Sequence, residues 1–463
     1  MFEHAKNAGD DPLAPTYGSR YLGESVPKYR LPEGEMPPRL AYQLIHDELA
    51  LDGNPALNLA TFVTTWMEPE AVTLMTESLN VNSIDQDEYP QTTEIQNRCV
   101  SILADLFHAD DAEHAMGTAT VGSSEAIHLA GLAMKWRWRA RQEAAGKPTD
   151  KPNLVMSETV QVCWEKFVRY FDVEARMVPI TPERTVIDPE LAMALVDENT
   201  IGVVGILGST YTGEFEPIAE LSAALDDLQE RTGLDVPLHV DGASGAFVAP
   251  FTQPDLLWDF RLPRVKSINA SGHKYGLVYP GVGWALWRDK AELPEDLIFH
   301  TNYLGGDQPT FDLNFSRGAS QIVAQYYNFL RMGRKGYTDV MTRLSDTAAY
   351  LSEMVAATPF ATLMSKPDSL PLVCARINDD AGFTAYDLSE KMKAKGWIVP
   401  AYTLAANADH VSVLRVVVRE GMSPDMADLL VNDFRRSIDE LGATPADLPG
   451  RRGHQPHHRG KIC

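Results

Sequence analysis

Lys274 is the residue in this sequence with the most chemistry open to it. It stands in Ser271-Gly272-His273-Lys274, after the run Val265–Ala270 and before Gly276, Gly281 and Gly283. A lysine at a strand end among small residues can reach a pocket. Burial there lowers the amine pKa and makes it a nucleophile toward carbonyls. The competing reading is a solvated surface lysine. Asp241, in His239-Val240-Asp241-Gly242-Ala243-Ser244-Gly245, closes an apolar strand. A carboxylate at the carboxyl end of a parallel strand sits where open α/β sheets bind ligands. A turn or helix-cap aspartate is the alternative. Gly122-Ser123-Ser124 opens a helical pattern, so free backbone N–H groups and two hydroxyls are on offer to an anion. Plain N-capping is the simpler role for such a pair. Gln161, before Val162-Cys163-Trp164, carries a flat side chain that could lie over an aromatic ring or serve structure alone.

These residues need a scaffold. Short apolar runs at 154–156, 175–178, 202–207, 237–240, 267–269 and 283–287 alternate with helical patterns. That alternation predicts an α/β fold with a mostly parallel, covered sheet. A short helix is expected at 41–51 and a long one at 337–356. The latter leads into a smaller unit with strands at 372–377 and 412–418 and helices at 386–395 and 424–441.

Composition narrows the classes. The chain has 463 residues, 44% hydrophobic and 23% charged, an ordinary globular mix that excludes extensive disorder. Lys plus Arg number 41 against 64 Asp plus Glu, a net charge of −23. Such a surface repels phosphate backbones, so nucleic acid is not an expected partner. No apolar run reaches the roughly eighteen residues of a membrane span, and 1–11 does not read as a signal peptide. Cys99, Cys163, Cys374 and Cys463 show no C-x-x-C spacing, so no metal site is expected and a reducing cytoplasm is the simplest setting.

Order and spacing join the pieces. A phosphate-type helix start comes first, then the strand-end acid, then His-Lys, with Lys274 following Asp241 by 274 − 241 = 33 positions. That is the layout of fold-type I enzymes dependent on pyridoxal 5'-phosphate. In such enzymes an acid on the pyridinium nitrogen keeps the ring an electron sink. Longer runs are more specific. Asn58-Leu59-Ala60-Thr61-Phe62, Ile84-Asp85-Gln86-Asp87-Glu88-Tyr89-Pro90, Gly122-Ser123-Ser124-Glu125-Ala126, Lys135-Trp136-Arg137-Trp138-Arg139, Trp258-Asp259-Phe260-Arg261-Leu262-Pro263-Arg264 and Tyr303-Leu304-Gly305-Gly306 stand beside the His-Lys motif. Together they resemble glutamate decarboxylase of the bacterial and plant type, in the group II pyridoxal-phosphate-dependent decarboxylases, over about residues 35–445.

The resemblance implies an aspartate aminotransferase-like fold: a large domain with a mostly parallel seven-stranded sheet and a small C-terminal α/β domain. It implies an N-terminal arm and helix (1–57) making oligomer contacts, a large cofactor domain (58–345), a small domain (346–448) and a tail (449–463). The implied activity is that of a carboxy-lyase turning L-glutamate into 4-aminobutanoate and CO2, with one proton consumed and a role in acid resistance or glutamate catabolism. Lys274 would hold the cofactor covalently, Asp241 would pair with the pyridine nitrogen, and Gln161 and Ala243 would flank the ring. Ser123, Ser124 and His273 would hold the phosphate, with Ser316 reaching in from a neighbouring subunit, and Ser271 would also bind the cofactor. Thr210 would meet the ring hydroxyl or Asp241. Tyr303 joins Lys274, Asp241 and His273 in the implied catalytic set.

Thr61, Phe62, Asn82 and Asp85 resemble the pocket for the distal carboxylate, and Arg419 the arginine near the α-carboxylate. Polar Thr61, Asn82 and Asp85 favour glutamate over an aromatic substrate. A sister decarboxylase of the same group, acting on aspartate, cysteine sulfinate or an aromatic amino acid, is the rival reading. A homo-oligomer with a dimer core, most often a hexamer in the family, is implied. The tail lacks the Trp-bearing basic helix of calmodulin-regulated plant members, so calmodulin is not an expected partner. Its His454, His457 and His458 resemble the bacterial histidine that closes the site as pH rises. Gly242, Ala246 and Gly318 depart from the small residues or proline usual in the family, without removing a catalytic group.

Overall fold

The computed structural model describes residues 29–302 and 308–442. The chain forms two compact units, divided between Leu57 and Asn58. In the first, helix α1 (Pro38–Leu49) buries Leu40 and leaves Tyr42, Ile45 and Leu49 exposed.

The second unit opens with helices α2 (Pro69–Glu77) and α3 (Pro90–Leu106). Strand β1 (Met116–Thr120) follows, then helix α4 (Ser123–Ala144) and strand β2 (Asn153–Ser157). Next come α5 (Val162–Tyr170), β3 (Glu174–Val178), α6 (Pro189–Ala194), β4 (Thr200–Ile206), α7 (Ile218–Thr232) and β5 (Leu238–Gly242). After a short helix α8 (Ala249–Thr252), β6 (Val265–Ala270) and β7 (Gly283–Trp287) complete a seven-stranded sheet in the order β1-β7-β6-β5-β4-β2-β3. Only β7 runs against its neighbours. Every residue of β2, β4, β5 and β7 is buried, and β4 and β7 accordingly read as mostly apolar runs rather than as alternation. Ile127, Met134 and Trp138 of α4 pack with Leu154, Met156, Ile201 and Val204 in a core on one face of this sheet.

The β5–β6 pairing is irregular. Leu238 opposes Val265, but His239 opposes Ser267, so Lys266 has no partner of its own on β5. A bulge of this kind re-aims side chains.

A hairpin of β8 (Phe299–Thr301) and β9 (Gln308–Thr310) precedes α9 (Ser320–Ala356). That helix starts well before the expected position 337 and runs through the expected boundary at 345. Gly333, at φ 55°, breaks it with a kink. Beyond it, β10 (Ala361–Leu363), β11 (Leu372–Ile377), β12 (Ala401–Thr403) and β13 (Ser412–Val417) form an antiparallel sheet in the order β10-β11-β13-β12. Helices α10 (Ala385–Lys393) and α11 (Pro424–Gly442) accompany it. The large, mostly parallel sheet and the smaller C-terminal α/β unit agree with the sequence reading. Among the described residues no helix is long and apolar enough to cross a membrane.

Candidate active site

A cavity of about 260 Å3 opens where β4, β5 and β6 end and α4 begins. Ser123, Ser124, Gln161, Thr210, Asp241, Ala243, Ser271, His273 and Lys274 all line it, beside Ser244 and Cys163. The parallel sheet thus brings together residues some 150 positions apart.

The anion end is built first. Glu125 and Ala126 N–H bond back to Gly122 O, while Ser123 and Ser124 precede the first internal bonds of the helix. Ser123 uses its hydroxyl not as a cap but on Ser271 Oγ, 2.7 Å away. The His273 Nδ1 accepts from Val282 N–H at 3.2 Å, so its proton sits on Nε2. Burial, aided by the neighbouring Lys274, pushes the imidazole pKa down to about 4. Close approach explains two glycines. A β-carbon on Gly122 would lie 2.9 Å from the His273 ring, and one on Gly283 only 2.5 Å from the Gly122 carbonyl carbon.

Lys274 is half-buried, and its Nζ donates to Ser244 Oγ at 3.3 Å. Burial lowers its pKa, Asp241 and Cys163 oppose that shift, and Arg415 adds to it. A lowered amine pKa shifts the balance toward the nucleophilic form. Its Nζ lies 5.5 Å from the Phe62 ring centre.

Asp241 is held by neutral donors. Trp164 Nε1 donates to Oδ2 at 2.8 Å, and Asn269 Nδ2 and Ala243 N–H donate to Oδ1 at 3.0 and 3.1 Å. Gln161 lines the cavity while its Oε1 accepts from Cys163 N–H, capping α5. Burial pushes the Cys163 thiol up to about 12, so it is no nucleophile.

Thr61 and Phe62 sit on an extended segment clamped from two sides. Thr64 bonds His273 O through its N–H and Lys274 O through its hydroxyl. From the small unit, Glu420 accepts from Thr65 and Trp66 N–H. Arg419 donates to Asn58 O, Val63 O and Thr65 Oγ1 at 2.7, 3.0 and 2.8 Å. Its guanidinium therefore serves this segment, and neither Arg419 nor Arg415 is among the cavity-lining residues. Arg415 stands closer to the chemistry. It donates to Ala60 O at 2.7 Å and to Thr210 O, and it lies over Phe62 with 4.7 Å to the ring centre.

Asn82, Asp85 and Ser316 gather elsewhere. Asn82 Nδ2 is 3.4 Å from both Asp85 Oδ1 and Ser316 Oγ, and Asn82 Oδ1 accepts from Arg317 N–H. Arg317 holds the cluster, donating to Asp312 at 2.8 Å, to Ser83 Oγ at 3.1 Å and to Ala119 O. Glu125 ties it to the anion site. One carboxylate oxygen accepts from Leu313 and Asn314 N–H and the other from Val121 N–H. None of Asn82, Asp85 and Ser316 lines the Lys274 cavity. Tyr303, His454, His457 and His458 lie outside the described residues.

Sequence reasoning missed Trp164, Asn269, Ser244 and Arg415. Asn269 had a usable signal: it sits two positions from Ser267 on a strand, as Asp241 does from His239. Trp164 had none, since its partner is 77 residues away.

The Pyridoxal-dependent decarboxylase conserved domain matches residues 32–378, and the chain belongs to that family. It is 52% identical over 448 residues to glutamate decarboxylase 1 of Arabidopsis thaliana, covering 96% of this chain and 89% of that one. It is 51% identical over 446 residues to a glutamate decarboxylase of Aliivibrio fischeri, covering 96% of each. The solved glutamate decarboxylase of Lactobacillus brevis superposes with a TM-score of 0.90 at 45% identity, over 94% of this chain and all of that one. The donor set fits pyridoxal 5'-phosphate. Hydroxyls, free helix N–H groups and a neutral Nε2–H suit the phosphate, a buried amine suits the aldehyde, and an unneutralised carboxylate suits the ring nitrogen.

Proposed function

We propose that the chain removes the α-carboxyl group of L-glutamate as CO2 and releases 4-aminobutanoate, taking up one proton per turnover. One observation carries this reading. The buried amine of Lys274 and the carboxylate of Asp241 face one cavity in a chain about half identical to proteins named glutamate decarboxylase. When bound, pyridoxal phosphate accepts the electron pair left on Cα as CO2 departs. Lys274 Nζ, its pKa lowered by burial, is the group that would hold the cofactor. Asp241 would keep a proton on its ring nitrogen. Ser123, Ser124, Ser271 and His273 would bind the phosphate, Gln161 and Ala243 would flank the ring, and Thr210 would meet its hydroxyl. Arg419 would lie near the substrate's α-carboxylate, with Arg415, which lies over Phe62, as a second cation beside the cavity.

Thr61 and Phe62 would form the near wall of the distal-carboxylate pocket. Asn82, Asp85 and Ser316 would be supplied by a second copy, which makes a dimer the smallest competent unit and a hexamer its natural multiple. A cytoplasmic setting suits the buried free thiols of Cys99, Cys163 and Cys374. The test is a substrate panel of glutamate, aspartate, cysteine sulfinate and aromatic amino acids, read by CO2 release and product mass. Glutamate should dominate; preference for any other member overturns the assignment.

A further inference from the structure

Behind Asp241, the central strands carry a square of polar side chains that the proposed chemistry does not use. β5 contributes His239 and Asp241, and β6 contributes Ser267 and Asn269. Each pair is two residues apart and so shares a face. Register sets His239 opposite Ser267 and Asp241 opposite Asn269, and all four are buried. His239 Nδ1 lies 2.7 Å from Ser267 Oγ, His239 Nε2 lies 2.9 Å from Asn269 Oδ1, and Asn269 Nδ2 lies 3.0 Å from Asp241 Oδ1.

The inventory of donors fixes the direction of every bond. An ionised carboxylate only accepts, so Asn269 must turn its NH2 to Asp241 and its carbonyl to His239. His239 must then donate from Nε2, and its Nδ1 accepts the Ser267 hydroxyl proton. Trp164 closes the far side, packing edge-on against the His239 ring at 5.3 Å while donating to Asp241. Burial keeps the imidazole neutral, with its pKa pushed down to about 4.

We propose that His239 is a positioning residue for the cofactor's ring nitrogen. Locked by Ser267 as the Nε2–H tautomer, it holds the Asn269 amide so that Asp241 receives only neutral N–H donors. Asp241 then keeps its full negative charge for the ring. A cation in the place of Asn269 would compete with the ring for that charge, and a flipped amide would set its carbonyl against the carboxylate.

The proposal rests on Asp241 pairing with the ring nitrogen, and the experiment separates the two. Holoenzyme is charged with pyridoxal phosphate labelled with 15N in the ring and read by NMR. The parent should show a protonated ring nitrogen; a bare nitrogen there overturns the pairing itself before any variant is read. His239→Leu should move the signal toward the bare nitrogen and speed cofactor loss on dialysis. It should also lower kcat/KM by roughly 10- to 100-fold, the size known for hydrogen-bond partners that orient metal ligands. His239→Gln, whose amide can still donate to Asn269, should restore the parental ring signal. An unmoved signal in His239→Leu, or one that moves as far in His239→Gln, overturns the proposal. If His239→Leu does not fold, Ser267→Ala decides. It removes only the hydroxyl and should give a smaller shift in the same direction; no shift overturns the proposal.

Discussion

The Lys274 cavity and the Asn82–Asp85–Ser316 cluster are held in different ways. The first stands on strand ends and a helix start, and its members converge within one chain because a parallel sheet aligns the carboxyl ends of its strands. The second lies on loops gathered round Arg317, and its polar side chains do not line that cavity. A cluster built on regular elements is drawn together within one copy. Residues that a relative's pocket would need, yet that sit apart here, are the ones to expect across a subunit boundary.

The strand-end site is most vulnerable at Lys274. Lys274→Ala should abolish turnover and the borohydride-reducible link to the cofactor, checked by intact mass. A retained reducible adduct would mean that the strand-end cluster is not the reacting one. The second cluster is tested by mixing subunits. Lys274→Ala and the double variant Asn82→Ala with Ser316→Ala should each be nearly inactive alone. Co-expressed as randomly assorted dimers, they should regain about a quarter of parental activity, since half the dimers then carry one intact site of two. No recovery would make each site self-contained.

A third prediction concerns what holds the loops. Arg317→Ala leaves Asp312 buried without its partner; burial already raises that carboxyl's pKa and Arg317 opposes the rise. Loss of one member of a buried pair costs about 3–5 kcal/mol, measurable by denaturant unfolding of the parent and variant. A change within error would show that the cluster is organised by something other than Arg317.

The smallest effect lies beneath the first cluster. Glu216 accepts from Ile206 and Ile187 N–H at 2.7 and 3.1 Å, yet burial pushes its pKa up to about 7 from 4.5. The folded state then binds a proton that the unfolded chain has released, so stability should fall as pH rises between about 4.5 and 7. Glu216→Gln should flatten the profile of Tm against pH in that window. An unchanged slope would remove Glu216 as its source.

Much of the first cluster was legible in the sequence because its signals are local: an acid after an apolar run, His-Lys before glycines, serines before a helical pattern. The second cluster was named only through resemblance, since nothing in the sequence near residue 82 points to residue 316. Strand Met116–Thr120 was missed because Met-Gly-Thr-Ala-Thr lacks a branched apolar run; its place comes from pairing with β7. Arg415 gave no local signal, since Ala60 and Thr210, whose carbonyls it meets, lie 355 and 205 residues away.

The unpaired Lys266 on β6 carries a consequence for inheritance. It is the extra residue that brings Ser267 and Asn269 level with His239 and Asp241. In a regular register continued from Val265, the side chains opposite those two would be Lys266 and Ile268, and the polar square would give way to a stray charge and a hydrocarbon. Lineages of this enzyme can therefore exchange many residues along the strand while its length stays fixed. A codon lost or gained between 267 and 269 should be purged far more reliably than most single substitutions there, whereas loss of codon 266 itself leaves Ser267 and Asn269 level with His239 and Asp241.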